Sequence, residues 1–191
     1  MPDAGRVIAG SARGARLQAA PATRPLGDRV KQSAFAILEP DLPGARFLDL
    51  FAGSGAAGIE ALSRGAAEAV FVERDPRAVA AIRRNVETTG VAGRATVVQR
   101  DVAAFLAEFN ENFDVVFVDP PYADTASLVE ILDLLGAPDA SLGPRARVVA
   151  KHFWKDPPPA TIGLLASERV ERFGETALTF YWRQPADEEG R

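Results

Sequence analysis

The sequence contains no cysteine and a single histidine, His152, in 191 residues. A disulfide scaffold is excluded, and so few of the common zinc donors are present that no metal is expected. No apolar run approaches the roughly 18 residues needed to span a bilayer, and the opening MPDAGRVIAG lacks the apolar stretch of a secretory signal. The expectation is a cytoplasmic protein with no membrane partner. Disorder is excluded as well, because 47% of the residues are hydrophobic and 25% are charged, the balance of a chain with its own core. A chain of this length buries roughly 70% of the surface it exposes when unfolded. It should fold as one unit, and a monomer is expected.

Net charge is -4, which argues against an indiscriminate nucleic-acid binder. The charge is unevenly spread. Residues 1–31 hold Arg6, Arg13, Arg16, Arg24, Arg29 and Lys31 against Asp3 and Asp28, a local +4 that leaves -8 for the rest. This end is a candidate contact for a polyanion, with a merely solvated basic arm as the alternative.

Further along, short apolar runs rich in β-branched residues alternate with helical patterns. Arg46–Leu50, Ala69–Val72, Ala95–Val98, Phe113–Val118 and Arg147–Ala150 read as strands. Runs apolar on both faces belong to a parallel sheet covered on both sides. Ala56 to Arg64 reads as a helix closed by Gly65, and Asp75-Pro76 opens another in which Val79, Ile82 and Val86 recur. The alternation predicts a doubly wound, Rossmann-like α/β fold. Ahead of it, Arg6–Ala9 and Ala15–Leu17 suggest a hairpin, and Asp28 to Leu38 a helix with Val30, Ala34, Ile37 and Leu38 inward. At the other end, strands around Gly174-Glu175 predict a closing antiparallel hairpin. The expected organisation is a basic extension over residues 1–40 as the candidate polyanion contact, a core over 41–184 and a tail over 185–191.

Asp49-Leu50-Phe51-Ala52-Gly53-Ser54-Gly55-Ala56-Ala57-Gly58 sets a glycine-rich turn between a buried strand and a helix. Glu73 follows twenty residues after Gly53, at the end of the next strand, where a carboxylate can accept hydrogen bonds from both ribose hydroxyls of an adenosine. A nicotinamide dinucleotide fits this stretch as well. Asp49 favours the other candidate, S-adenosylmethionine, because a carboxylate here would repel a pyrophosphate and attract the cationic methionine end. Asp49 bonding loop N–H groups is the bland alternative. Asp101, after the third strand, suits either the adenine amine or the N-cap of a helix from Val102 to Phe109.

Asp119-Pro120-Pro121-Tyr122 follows the fourth strand, where α/β sheets carry their chemistry. Taken alone it is a rigid turn. In this position an Asp119 oxygen and the Pro120 carbonyl, stiffened by Pro121, can accept both N–H groups of an exocyclic amine, turn its lone pair out of the ring and stabilise the charge that develops on nitrogen. Tyr122 can stack on an extruded base. His152, just past a strand, reads as a loop or rim residue.

These two motifs together resemble the class I S-adenosylmethionine methyltransferases that act on exocyclic amines of bases. With Arg6–Gly10, Thr23-Arg24-Pro25, Asp28-Arg29-Val30, Gly58–Ala66 and Gly174-Glu175-Thr176, residues 5 to 183 resemble the bacterial 16S ribosomal RNA guanine-N2 methyltransferases. The resemblance implies methyl transfer from S-adenosylmethionine to one guanine of 16S RNA, with the small ribosomal subunit as substrate. It makes Asp119, Pro120, Pro121 and Tyr122 the catalytic segment. Cofactor binding falls to Asp49, Phe51, Ala52, Gly53, Ser54, Gly55, Gly58, Glu73 and Asp101. The sequence departs from that family at Leu26-Gly27, at Lys31–Ala34 and at Ala150-Lys151, where an acidic residue often ends the fifth strand. Rival readings are the same chemistry on another base, such as adenine N6 of DNA, a nicotinamide-dependent oxidoreductase, and a non-catalytic RNA-binding assembly factor.

Overall fold

A computed structural model describes residues 2–21, 26–121 and 124–185. In chain order, β1 (Asp3–Arg6), β2 (Arg16–Gln18) and α1 (Asp28–Leu38) precede β3 (Arg46–Leu50), α2 (Ala56–Ser63), β4 (Glu68–Glu73), α3 (Pro76–Thr88) and β5 (Ala95–Gln99). Then come α4 (Val102–Glu108), β6 (Phe113–Val118), α5 (Thr125–Gly136), β7 (Leu142–Phe153), β8 (Thr161–Ile162), β9 (Leu165–Phe173) and β10 (Thr176–Arg183). One eight-stranded sheet runs β5-β4-β3-β6-β7-β10-β9-β8. Pairing is parallel from β5 to β7 and antiparallel beyond. The chain winds outward from β3 to β5, then returns to lay β6 on the other side of β3. The expected doubly wound α/β fold with its closing hairpin is what is found, and its switch point lies between the carboxyl ends of β3 and β6.

Strict alternation along the central strands feeds two cores. Phe47, Phe71 and Phe117 point to one face, where α1, α2 and α3 pack. Leu48, Val70 and Val116 point to the other, against α4 and α5. Phe35 of α1 stacks near both Phe47 and Phe117, with ring centroids 6.0 and 6.5 Å away. The amino-terminal extension is thus a layer of the same core. Among the described residues no helix is long and apolar enough to cross a membrane.

The structure corrects four local expectations. The first hairpin is shifted: Asp3–Arg6 pairs with Arg16–Gln18, while the N–H groups of Ile8 and Ala9 bond the carboxylate of Glu60 at 2.8 and 3.1 Å. Glu60 is fully buried on α2, and its need for donors draws the chain off the strand path. Helix α1 is rotated from the expected face, burying Lys31, Ala34, Phe35 and Leu38, with Val30 and Ile37 only half-buried. The large Phe35 ring fills the space over the sheet, and Lys31 finds partners that offset its burial. Strand β7 extends to Phe153, so His152 lies inside it, buried, with Nε2 2.9 Å from Thr179 Oγ1 and Nδ1 2.8 Å from the Phe153 carbonyl oxygen. Helix α5, which no reading of the sequence anticipated, follows Asp124 as N-cap.

Candidate active site

The turn after β3 is built from backbone conformations that few residues tolerate. Phe51 has φ 58°, the sole positive value at a non-glycine among the described residues, and Gly53 and Gly55 follow at φ 55° and 76°. A non-glycine held there costs free energy and marks a loop shaped for a ligand. The Ala52 N–H bonds the Val72 carbonyl at 3.1 Å, and the Gly55 N–H returns to Ala52 at 2.7 Å, pinning the loop to β4. Gly58 serves packing: a Cβ there would lie 2.3 Å from the ring of Phe71, itself fully buried. Gly58→Ala is therefore expected to destabilise the protein by roughly 1 to 3 kcal/mol through overpacking. A denaturant melt measures this, and an unchanged midpoint would contradict it.

The turn borders a cavity of about 440 Å³ at the carboxyl ends of β3 to β7, the size range of a cofactor-sized ligand. Its walls include Phe51, Ala52, Gly53, Ser54, Pro120 and Pro121 together with the carboxylates of Asp49, Glu73, Asp101 and Asp119. Tyr122 lies outside the described residues. Gly55 and Gly58 shape the turn and the helix behind the cavity without lining it. Leu26, Arg74, Arg100 and Lys151 also line the cavity, and sequence reasoning assigned none of them to a cofactor site. For Arg74, Arg100 and Lys151, a position at or near a strand end in a doubly wound sheet was the available signal; Leu26, just ahead of α1, carried none.

Asp49 is 2% exposed and accepts the Gly58 N–H at 2.9 Å. Burial first, then the charges of Asp119 and Glu73, push its carboxyl well above the ordinary range. Glu73 Oε2 takes the Gly53 N–H and Oε1 the Asp75 N–H, both at 2.9 Å. The carboxylate therefore ties two loops together at the cavity edge. Asp101 Oδ1 accepts the N–H groups of Ala103 and Ala104 at 3.0 and 3.3 Å, so it caps α4 while also facing the cavity. Asp119 forms an ion pair with Lys151. Burial raises its carboxyl above the ordinary range, and the Lys151 ammonium opposes that rise. A pocket in which carboxylates crowd and desolvate one another favours a cationic occupant.

The basic arm is less available than its composition suggested. Arg6 lies 3.6 Å from Asp28 and Arg16 3.1 Å from Asp3. Lys31, expected among the exposed cations, is fully buried; its Nζ donates to the Arg6 carbonyl at 2.6 Å and sits 3.6 Å from Asp28. Desolvation lowers its pKa, opposed by Glu60 and Asp28. Arg13 and Arg29 remain exposed, and Arg24 lies outside the described residues.

The family described as Conserved hypothetical protein 95 matches residues 5–182. The Bacillus subtilis (strain 168) protein YlbH is 38% identical over 181 residues, 92% of this chain and 97% of that protein. Ribosomal RNA small subunit methyltransferase D of Escherichia coli (strain K12) is 35% identical over 185 residues, 96% of this chain and 92% of that protein. The solved structure of the Escherichia coli protein yhhF superimposes with a TM-score of 0.85 at 34% identity, covering 95% of this chain and 98% of that one. The chain belongs to the Conserved hypothetical protein 95 family, that of ribosomal RNA small subunit methyltransferase D, a family of class I S-adenosylmethionine-dependent methyltransferases.

Proposed function

We propose that this protein methylates the exocyclic N2 of a guanine in 16S ribosomal RNA, with the small ribosomal subunit as substrate and S-adenosylmethionine as donor. The observation that carries the reading is the meeting of Asp119 with Asp49 and Glu73 in one cavity at the switch point. The relatives named for small-subunit RNA methylation support the substrate class.

The residues present fit the donor. A cofactor-sized cavity crowded with carboxylates suits a ligand bearing a positive sulfur and an ammonium group, and Asp49 is the group placed to meet the cationic end. Glu73 would hold the ribose hydroxyls and Asp101 the adenine amine. When bound, the donor supplies an electrophilic methyl carbon whose bond to sulfur breaks, with its electron pair, as the new nitrogen–carbon bond forms. Asp119 and the Pro120 carbonyl accept the two amine N–H groups and aim the lone pair. The carboxylate of Asp119 stabilises the positive charge growing on nitrogen, and the methylated amine, acidic once it carries that charge, releases its proton to solvent. Tyr122 stacks on the guanine.

RNA docking is assigned to the arm, through Arg13, Arg29 and Arg24, with Arg6 and Arg16 able to exchange their surface carboxylate partners for phosphate at little cost. Reversing Arg13 and Arg29 to Glu is expected to leave the melting temperature and cofactor affinity unchanged. Methylation of small subunits should fall, and the slope of log affinity against log salt should flatten by roughly 0.7 to 0.9 for each phosphate no longer neutralised. Coincident slopes with full methylation would remove the arm from the RNA interface.

A further inference from the structure

Parallel pairing of β6 with β7 ends with Val118 opposite Ala150. One residue further on, Asp119 and Lys151 stand side by side, and the Lys151 ammonium pairs with Asp119 Oδ1. The lysine side chain is 8% exposed and the aspartate 18%, so the pair lies in the cavity wall and not on the outer surface. A phosphate-binding lysine would need its head in solvent. This one is turned inward, onto the group that the proposed reaction requires as an anion.

We infer that Lys151 is a positioning residue for methyl transfer: it holds one oxygen of Asp119 and keeps the carboxylate ionised, leaving the other oxygen for the amine of the base. The inference rests on the assignment of Asp119 as amine acceptor. Other acidic groups share this end of the cavity: Asp49 on β3 feels the charges of Asp119 and of Glu73 at the end of β4. Asp75 and Asp101 stand farther round the wall, with Arg74 and Arg100 as its other cations. Burial already favours the neutral acid at Asp119. Without Lys151 the proton would be held more tightly, and a protonated carboxyl offers an O–H where an acceptor is required.

The test is the pH dependence of methyl transfer in single turnovers with saturating donor and small subunits. It compares wild type, Lys151→Met, Lys151→Arg, Asp119→Asn and Asp119→Ala. Removing an opposite charge in contact with a carboxylate raises its pKa by about 1 to 3 units. Lys151→Met should therefore move the acid limb upward by that amount, lowering transfer near neutrality and recovering it at alkaline pH. Lys151→Arg should return the limb to its wild-type position. Carbon-13 NMR of the Asp119 carboxyl in the unliganded protein should show the same displacement of its titration. Calorimetry with S-adenosylhomocysteine should show unchanged affinity at alkaline pH. If Lys151→Met does not fold, Lys151→Gln removes the charge while keeping a polar head and is measured in its place. A folded neutral variant whose acid limb and carboxyl titration stay at wild-type values overturns the inference while Asp119 keeps its role. Full activity in Asp119→Asn, which keeps an acceptor oxygen without the charge, shows that transfer needs no anion and overturns the inference, whereas full activity in Asp119→Ala overturns the acceptor assignment itself.

Discussion

Asp119→Ala is expected to abolish measurable methyl transfer while S-adenosylhomocysteine still binds with near wild-type affinity. Asp119 lies at the end of β6, and its N–H bonds the Leu50 carbonyl at 3.3 Å, so the backbone is held independently of the side chain. In the proposed reaction the substitution removes the carboxylate facing the nitrogen on which positive charge would develop. Loss of one such preorganised group costs roughly 10²- to 10³-fold in turnover. The loss should appear in kcat and kcat/KM alike, the signature of an interaction made in the transition state. Asp119→Asn separates charge from shape, since it keeps an acceptor oxygen but no anion, and should fall between wild type and alanine. Both variants remove the carboxylate that pairs with Lys151 and should melt below wild type. Cofactor affinity lost in proportion to turnover would instead make this segment a structural turn.

Glu73→Ala is expected to act on the opposite half of the site. Its carboxylate holds the Gly53 and Asp75 N–H groups at 2.9 Å and lines the cavity in which we propose that the ribose hydroxyls dock. Charge-assisted hydrogen bonds contribute roughly 1.5 to 3 kcal/mol each. One such bond corresponds to a loss of about 10- to 100-fold in S-adenosylmethionine affinity. The glycine turn should also loosen, because both loops lose an anchor. Glu73→Gln keeps an acceptor and can bond one loop N–H, so it should recover part of the affinity. Calorimetry decides the matter, and affinity within twofold of wild type in Glu73→Ala would remove Glu73 from the cofactor site.

The sequence was most legible where one local rule sufficed. Short apolar runs, the Asp75-Pro76 helix start and the glycine turn each predicted an element close to where it lies, and the doubly wound class followed from the alternation of strands with helices. Failures arose where a buried polar group made its own demands. Glu60 draws the backbone of Ile8 and Ala9 out of the first hairpin, and Lys31 is buried because the Arg6 carbonyl and Asp28 supply partners. The Asp28 pair is three residues away on the same helix, but the Glu60 and Arg6 contacts, at separations of 25 residues or more, cannot be read from spacing along the chain. The same holds for Lys151. Its pairing with Asp119 depends on the register of β6 against β7, which exists only once the sheet is assembled.

The identity of the methylated nucleoside separates guanine N2 transfer from its rivals. Small subunits from cells deleted for this protein would be incubated with it and S-adenosylmethionine bearing a labelled methyl group. The RNA would then be digested to nucleosides and analysed by mass spectrometry. Label in N2-methylguanosine, arising from a single 16S position and absent with Asp119→Ala, is the predicted result. Label in N6-methyladenosine, label on DNA in preference to subunits, or subunit binding without transfer would contradict the account.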